Sequence, residues 1–496
     1  MRWLSLYRTH ILLASALALA VFGTYAPSLR NGFVGLDDRL LATENPIVIH
    51  PSLRSVAKAF TSYDPELYIP VTILSYQAEF LLFGNSPFFH HLTSLFLHVG
   101  STLLVFLFVL LLLKDNPRRA SVAFFAALLF GVHPLNAEAV SWVSGRKDLL
   151  AGFFSLASLV SYLRAKSGSF RGRVLSLLFF FLALLSKVSA APLPLLLLLI
   201  DRRQDGKIGW GRIKDKWLYI VFSALFVLIA IAGKATVIAK LTLGGSILLA
   251  LKSIVFLLQK IVLPRDLAFL YQYPHTPSLL SPDFYIPLLI LLLLAGLIAI
   301  FRKRGDVLFG SAFFVICLLP SFVTFTKKGA IILASDRYAY LAMIGVLLVI
   351  LRLLFALTER HRLKFVGMTT VLCVIALVLA SLTVRQSGVW FSYETLVRQN
   401  ALAQPESPYA RLEYGSLLFE QGRYDESMEE LKIAVKLDPE SPLANADLGA
   451  AYGRKGMYRE GLPYLLKSLQ LRGAEVPPDV RKMMEDFRKA EEAKAK

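Results

Sequence analysis

The chain has 496 residues, of which 56% are hydrophobic and 18% charged, and its mean hydropathy is +0.58. A water-soluble protein of this size cannot bury that much apolar surface, because the buried fraction levels off as domains grow. The apolar residues fall into blocks of about 20, the length that crosses a bilayer core. The composition therefore excludes a soluble enzyme and predicts an all-α protein with a polytopic membrane domain.

The formal net charge of +19 does not indicate nucleic acid as a partner. Lys and Arg lie mainly in short loops between apolar blocks, where the positive-inside rule places them in membrane proteins. The two cysteines, Cys317 and Cys373, lie inside apolar segments. We interpret them as inert core thiols, so neither a disulfide framework nor a cysteine metal site is predicted.

Twelve apolar segments are candidate membrane spans. The first is expected to be a retained helix and not a removed signal peptide, because a membrane pattern resumes after it. The segments are residues 10–26, 88–113, 119–134, 148–163, 173–186, 188–200, 217–233, 245–263, 284–301, 308–324, 338–356 and 365–384.

Loop charges predict which segments cross the bilayer. With a cytoplasmic N-terminus, all basic clusters fall inside if one segment between 234 and 283 does not span. Segment 245–263 is interrupted by Lys252, Ser253 and Lys260, so it is predicted to be an amphipathic or re-entrant helix on the outer side. About eleven spans and an extracytoplasmic C-terminal region follow. The basic clusters predicted to lie inside are at residues 114–119, 164–173, 202–216, 302–304 and 360–364.

The predicted domains follow from these segments. Residues 1–385 form the membrane domain, with long outer loops at 27–87 and 234–283; a surface helix is predicted at 71–83. Loops of this length are uncommon unless they are functional. Residues 386–407 are predicted to be a linker helix, and residues 475–496 a charged capping helix or tail.

Residues 408–474 repeat with a period of 34. Gly415, Gly422 and Tyr424 recur as Gly449, Gly456 and Tyr458. Small residues allow two helices to pack closely, and this spacing is typical of an α-solenoid of tetratricopeptide (TPR) repeats.

The first outer loop contains an adjacent carboxylate pair, Asp37 and Asp38, in the stretch GFVGLDDRLL. One carboxylate of such a pair can deprotonate a hydroxyl while the other orients it or tunes its pKa. A solvated turn is the alternative interpretation of the pair alone.

A second polar cluster spans residues 133–150 and includes His133, Glu138, Arg146, Lys147 and Asp148. Ionisable groups are costly at membrane depth, so several together indicate a polar cavity. Snorkelling from a helix end could explain Arg146 and Lys147, but not His133 with Glu138.

Four further residues are candidates. His91 lies seven residues from His98 on one helix face, about 10 Å away and too far for one metal. Lys187 is either the partner of a buried anion or a helix-end charge. Arg337 beside Tyr338 suits bidentate phosphate binding or an interfacial belt, and Tyr271 either a substrate wall or a belt.

The order of these motifs resembles the transmembrane and TPR O-mannosyltransferases and their bacterial relatives, which are C-type (GT-C) glycosyltransferases. The resemblance covers nearly the whole chain. It depends on the stretches FVGLDD, LFGNSPFFHHLTSLFLH, HPLNAEAVSWVSGRKDLLAG, LLSKVSAAPLPLLLLLID, LPRDLAFLYQYP and SDRYAYL, and on the repeats. This chain has Ile69 and Val188 where relatives often carry arginine and glutamate.

The resemblance implies an inverting transfer of sugar from a polyprenyl-phosphate donor to a protein hydroxyl on the extracytoplasmic face. Asp37 would be the general base, with Asp38 supporting it. Arg337 and Tyr338 would meet the donor phosphate, and the elements containing His133, Glu138, Arg146 and Asp148 would line the site. No cofactor is required, and a divalent metal is compatible with these residues but not required by them.

Two other functions are compatible with the sequence. One is a membrane-anchored TPR scaffold that has lost catalysis, and the other is a transporter, although no duplicated halves are visible. P-loop, GxSxG and HExxH motifs do not occur in the sequence. The short repeat array and compact loops favour a bacterial inner membrane.

Overall fold

The computed structural model describes residues 2–64, 66–165, 169–207, 209–234, 241–301, 304–327, 330–357, 362–473 and 478–495. The chain divides into two compact units. The first comprises Met1–Phe269 and Thr276–Tyr393, and the second comprises Leu270–His275 and Glu394–Lys496. Of the basic residues predicted to lie inside, Lys166, Arg302, Lys303 and Arg360 lie outside the described residues.

The first unit is helical almost throughout, as its composition predicts. Its helices are α1 (Arg2–Tyr25), α2 (Pro46–Ile49), α3 (Leu53–Ala59), α4 (Pro70–Phe83), α5 (Pro87–Leu112), α6 (Arg119–Gly131), α7 (Ala137–Ser141), α8 (Arg146–Ala165), α9 (Phe170–Ser186), α10 (Leu193–Asp205), α11 (Trp210–Lys214), α12 (Trp217–Lys234), α13 (Leu243–Val262), α14 (Pro282–Ile300), α15 (Gly305–Leu318), α16 (Ala339–Ala356) and α17 (Arg362–Gly388). Helices α4, α5 and α14 begin at proline, which has no N–H to leave unsatisfied at that position.

Strands are few among the described residues. They are β1 (Tyr271–Gln272), β2 (Thr326–Lys327) and β3 (Ala330–Ala334). Strand β2 pairs with β3 in antiparallel register, with Thr326 opposite Ile331. This hairpin lies between α15 and α16, directly before the candidate phosphate-binding residue Arg337.

Eight described helices are long and apolar enough to cross a membrane, and the bent pair 119–131 and 134–141 would make a ninth. Each of the twelve predicted segments contains a helix. The shorter ones, α9, α10 and α12, do not meet the length criterion by themselves. The fold is therefore an all-α multi-pass membrane unit followed by helical repeats, and the number of eleven spans stays a prediction.

Close helix packing holds the unit together. Helix α8 packs along α9 and α5, and α15 packs along α16. A Cβ on Gly310 would lie only 2.5 Å from the carbonyl oxygen of Gly345, so these two helix backbones are in direct contact. Cys317 is partly buried, but Cys373 is exposed on α17. The predicted core position is therefore wrong for Cys373, because α17 presents most of its surface outward.

Ion pairs lie at two opposite ends of the helices. Segments predicted to be outside meet at one end, here named the site end, through the pairs Asp37–Lys147, Asp148–Lys187 and Glu138–Arg337. Segments predicted to be inside form a separate set of pairs, which defines the opposite end: Asp201–Lys216, Asp306–Arg203 and Asp306–Arg352. This division agrees with the chain alternation predicted from loop charges. The face of the membrane to which each end belongs stays a prediction.

Helix α13 meets the length and hydropathy criteria of a span, so these criteria alone do not exclude it. Helix α13 packs against α14 and α16, and two of its polar contacts are with segments of the site end. Lys252 binds Asp283 at the start of α14 at 2.9 Å, and the carbonyl of Ile261 accepts from His133 at 2.9 Å. If α13 crossed the bilayer, one of its termini would lie among the ion pairs that define the opposite end of the unit. These contacts support the predicted position of α13 along the outer side.

The second unit contains α18 (Tyr393–Ala403), which starts at the unit boundary, and then α19 (Pro408–Glu420), α20 (Tyr424–Leu437), α21 (Pro442–Arg454), α22 (Tyr458–Arg472) and α23 (Pro478–Ala495). Helices α19 to α22 form two helix pairs with the predicted spacing. A Cβ on Gly415 would lie 2.7 Å from Leu431, and a Cβ on Gly449 would lie 2.6 Å from Leu465. Glycine is needed at both positions because the paired helices approach too closely for a side chain.

Residues 270–275 of the second long loop belong to this unit. Gln272 donates its N–H to Gln404 at 3.0 Å and accepts from the hydroxyl of Ser407 at 2.6 Å. Tyr271 is buried here.

Candidate active site

The two adjacent carboxylates of the first outer loop have different environments. The Asp38 side chain is 1% exposed, and it accepts the N–H of Ser144 at 2.9 Å, the hydroxyl of Ser144 at 2.6 Å and the N–H of Val34 at 3.1 Å. Burial raises the pKa of Asp38, while the hydrogen bonds from Ser144 and Val34 oppose that shift. Asp38 therefore joins the first loop to the 143–145 turn.

Asp37 is the accessible member of the pair. Its side chain is 39% exposed, and its Oδ2 lies 3.2 Å from Nζ of Lys147, which is 4% exposed. The Lys147 ammonium also lies 4.7 Å from the ring centre of Trp142. A buried cation thus holds a carboxylate that remains open to an incoming group.

Next to this pair lies a set of less exposed charges. Asp148 binds Nζ of Lys187 at 2.5 Å and lies 3.9 Å from Nε of Arg337. Glu138 accepts the Arg337 N–H at 2.8 Å and also pairs with its guanidinium. Three carboxylates and three cations thus meet at the site end. Lys187 and Arg337 are 17% and 13% exposed, so a phosphate that reached them would meet cations with little water around them.

Helix ends place these groups. Lys147 and Asp148 occupy the first turn of α8, Lys187 follows α9, and Arg337 precedes α16. These charges lie at helix ends and not in helix centres. The apolar helices can therefore cross a bilayer while the polar groups gather at one end of the unit.

Several candidate residues are engaged in other contacts. Arg146 is fully buried and binds Glu79 at 2.6 Å and the carbonyl of His90 at 2.8 Å. His133 donates to Ile261, and His91 lies 3.4 Å from the carbonyl of Gly32. These contacts connect helices and loops and do not include the cluster.

The two candidate tyrosines, Tyr338 and Tyr271, lie in different units of the structure. The Tyr338 hydroxyl lies 3.4 Å from that of Thr324, and its ring lies 5.3 Å from the Arg337 guanidinium. Tyr271 belongs to the second unit. The roles predicted for these residues in binding the donor stay predictions.

Trp142 and Glu79 were not predicted as site or support residues, and Lys147 was predicted only as a member of the polar cluster, without a role of its own. Lys147 and Trp142 lie in the polar stretch at 133–150, and an ammonium directly before Asp148 was a usable signal. Glu79 gave no such signal, because it is a single carboxylate in an otherwise apolar helix. Its partner Arg146 lies far away in the sequence.

Among the described residues, His, Cys, Asp and Glu side chains do not gather in groups of three or more that could hold a metal ion. The prediction about cofactors stays untested.

Comparisons with known proteins find sequence similarity to a group of protein O-mannosyl-transferases. The TPR repeat family matches residues 415–456. Human protein O-mannosyl-transferase TMTC1 is 27% identical over 75% of this chain and 48% of its own length. Human TMTC3 is 40% identical over 20% of this chain and 10% of its own length. Drosophila melanogaster Tmtc3 is 36% identical over 21% of this chain and 13% of its own.

The chain spans about half the length of TMTC1, and the matched segments cover smaller shares of the other two relatives. No solved structure matches the chain. The chain is therefore similar to a TMTC protein O-mannosyl-transferase along most of its length, and it matches the TPR repeat family in its C-terminal region.

Proposed function

We propose that this protein is a membrane-embedded inverting glycosyltransferase of the GT-C type, which transfers a sugar from a polyprenyl-phosphate donor to a protein hydroxyl. The names of its homologues make mannose the first sugar to test. The observation that carries the proposal is the Asp37–Lys147 pair. An accessible carboxylate is held at 3.2 Å by a buried cation, beside further cations that suit an anionic leaving group.

The proposed step is a single displacement. The acceptor hydroxyl loses its proton to Asp37 while its oxygen bonds to the anomeric carbon of the sugar. The bond between that carbon and the phosphate oxygen breaks, and its electron pair leaves with the polyprenyl phosphate. Lys187 and Arg337 would stabilise the charge that develops on the phosphate, since both are fixed in place by Asp148 and Glu138.

The membrane unit would hold the lipid part of the donor. A polyprenyl chain is as apolar as the bilayer core, so a polytopic enzyme can bind it between helices while its phosphate reaches the site end. We place this end on the extracytoplasmic face, because the basic clusters predicted to be cytoplasmic belong to the opposite end. A bacterial inner membrane is the compartment we propose.

The repeats would bind the protein acceptor. Paired-helix repeats stack into extended concave surfaces that commonly bind polypeptides. The acceptor would then present a serine or threonine hydroxyl to Asp37.

Mass spectrometry of cell-envelope glycoproteins tests the function. Cells lacking the gene are complemented with wild type, Asp37→Asn or Asp115→Asn, the last being an exposed aspartate far from the site. Wild type and Asp115→Asn should restore O-linked hexose on the same peptides, whereas Asp37→Asn should not. If wild type restores no glycan, and purified protein transfers none from several lipid-phosphate sugars, the scaffold alternative replaces this proposal.

A further inference from the structure

The end of α17 and the short turn after it, together residues 387–391, contact the loop that carries Asp37 and the segment that precedes Lys147. The side chain of Asn31 donates to the carbonyl of Ser387 at 3.0 Å, and the N–H of Gly32 donates to the carbonyl of Phe391 at 3.1 Å. Asn31 and Gly32 lie just before the turn that presents Asp37. The position of this turn therefore depends on residues 387–391.

The same segment contacts the second loop through a pair of indoles. Trp390 stacks on Trp142, with ring centres 5.6 Å apart and ring planes inclined by 22°. Trp390 is 1% exposed and Trp142 is 4% exposed. Packing on all sides thus fixes the stack, and neither indole N–H makes a hydrogen bond within the described residues.

Trp142 in turn contacts two of the site cations. The Lys147 ammonium lies 4.7 Å from its ring centre, and the Arg337 guanidinium carbon lies 5.4 Å from it. These cations hold Asp37 and Glu138 respectively. Cation–π attraction strengthens when the cation is desolvated, as both are here. The orientation of one indole therefore affects two charge pairs of the site.

We propose that Trp390 is a positioning residue, which fixes Trp142 and through it the placement of Lys147 and Arg337. This inference rests on the proposed function for its effect on catalysis. Within the described residues, the Trp390 indole N–H makes no hydrogen bond, and the cation–π contacts of Lys147 and Arg337 are with Trp142 and Tyr338. The effect of Trp390 should therefore fall on the rate of the chemical step and not on donor binding.

The test compares Trp390→Leu, Trp390→Phe and the control Trp210→Leu. Leucine removes the aromatic surface, whereas phenylalanine keeps a ring that can stack. Trp210 is 69% exposed and lies in α11, between two helices of the opposite end. The measurements are kcat and KM for polyprenyl-phosphate mannose, and the acetylation rate of Lys147 determined by mass spectrometry. Lys216, which is buried against Asp201, is the internal reference for acetylation.

We expect Trp390→Leu to lower kcat about tenfold to a hundredfold with little change in KM, since small displacements of catalytic groups have effects of that size. Acetylation of Lys147 should rise relative to Lys216, because the indole surface that covers it loosens. Trp390→Phe should restore most of both values, and Trp210→Leu should match wild type.

Two results would overturn the inference. One is unchanged kcat and unchanged Lys147 acetylation in Trp390→Leu. The other is an activity loss that Trp390→Phe shares in full, with Lys147 acetylation unchanged, which would indicate a general packing defect. If wild type transfers no sugar, the proposed function fails, while a rise in Lys147 acetylation would still support the positioning contact.

Discussion

The Lys147 ammonium and the Asp37 carboxylate lie 3.2 Å apart, but they differ sharply in exposure, at 4% and 39%. The cation is enclosed by protein, whereas the carboxylate remains open. This asymmetry suits a base that must receive a substrate hydroxyl while its charge is held in place.

Lys147→Met should lower the transfer rate about tenfold to a hundredfold without lowering the melting temperature in detergent. The substitution leaves Asp37 in contact with water, so no uncompensated buried charge results. Lys216→Met is the matched contrast, because its partner Asp201 is 0% exposed. That variant should lose about 3 to 5 kcal/mol of unfolding free energy. Equal destabilisation by both substitutions would contradict this interpretation of Lys147.

Asp38→Ala should destabilise the protein, in contrast to Asp37→Asn. It removes the acceptor of three hydrogen bonds from Ser144 and Val34, and buried donors left without a partner cost about 1–3 kcal/mol each. Thermal unfolding in detergent measures the loss. A melting temperature equal to that of wild type would show that Asp38 does not hold the two loops together.

Glu79→Gln should lower the free energy of unfolding at neutral pH, and the difference in unfolding free energy from wild type should become smaller in acid. Burial raises the pKa of Glu79, but the interactions of its carboxylate with His90 and Arg146 lower the pKa by more than burial raises it. The pKa of Glu79 therefore lies below the ordinary value of 4.5. A carboxyl with a lowered folded pKa stabilises the protein above its unfolded pKa. That stabilisation is lost as pH falls through the folded pKa.

The corresponding experiment follows thermal unfolding of wild type and Glu79→Gln from neutral pH down to below pH 4.5. At neutral pH we expect a difference of about 3 to 5 kcal/mol, because Arg146 loses its buried partner. A difference that stays constant, or grows as pH falls, would contradict the predicted loss of stabilisation in acid.

Gly415→Ala should destabilise the repeats by about 1 to 3 kcal/mol. The added Cβ would lie 2.7 Å from Cγ of Leu431, close to the helix backbone, where the leucine has little freedom to move. Gly367→Ala in α17 is the control, since a Cβ there meets no atom within 4 Å. Circular dichroism during heating should show a lower transition for the first variant only. No shift for Gly415→Ala would mean that the paired helices are more loosely packed than described.

Much of the fold could be predicted from the sequence, because its signals are local or periodic. Apolar blocks predicted the helices, and the spacing of Gly415 and Gly449 predicted the repeats. Helix α13 combines a span-like hydropathy with site-end contacts such as His133–Ile261. Such a case depends on tertiary packing, and composition alone does not determine it.

The site could be predicted only in part. The stretches around Asp37, Glu138 and Arg337 pointed to residues that do meet, but the pairing among them could not be read from spacing. Arg146 and Lys147 are neighbours in the first turn of α8, yet Arg146 forms an ion pair with Glu79 and Lys147 forms one with Asp37. Partners this distant along the chain carry no local signal, and neither does the stack of Trp142 on Trp390.

The most direct test of the account is the initial rate of sugar transfer from polyprenyl-phosphate mannose to an acceptor peptide by purified wild type and Asp37→Asn. Asparagine keeps the shape of the side chain but cannot accept the hydroxyl proton as a carboxylate does. The account predicts a rate about 10²- to 10⁴-fold lower for the variant, with an unchanged melting temperature. Transfer by Asp37→Asn at the wild-type rate would contradict the assignment of Asp37 as the base.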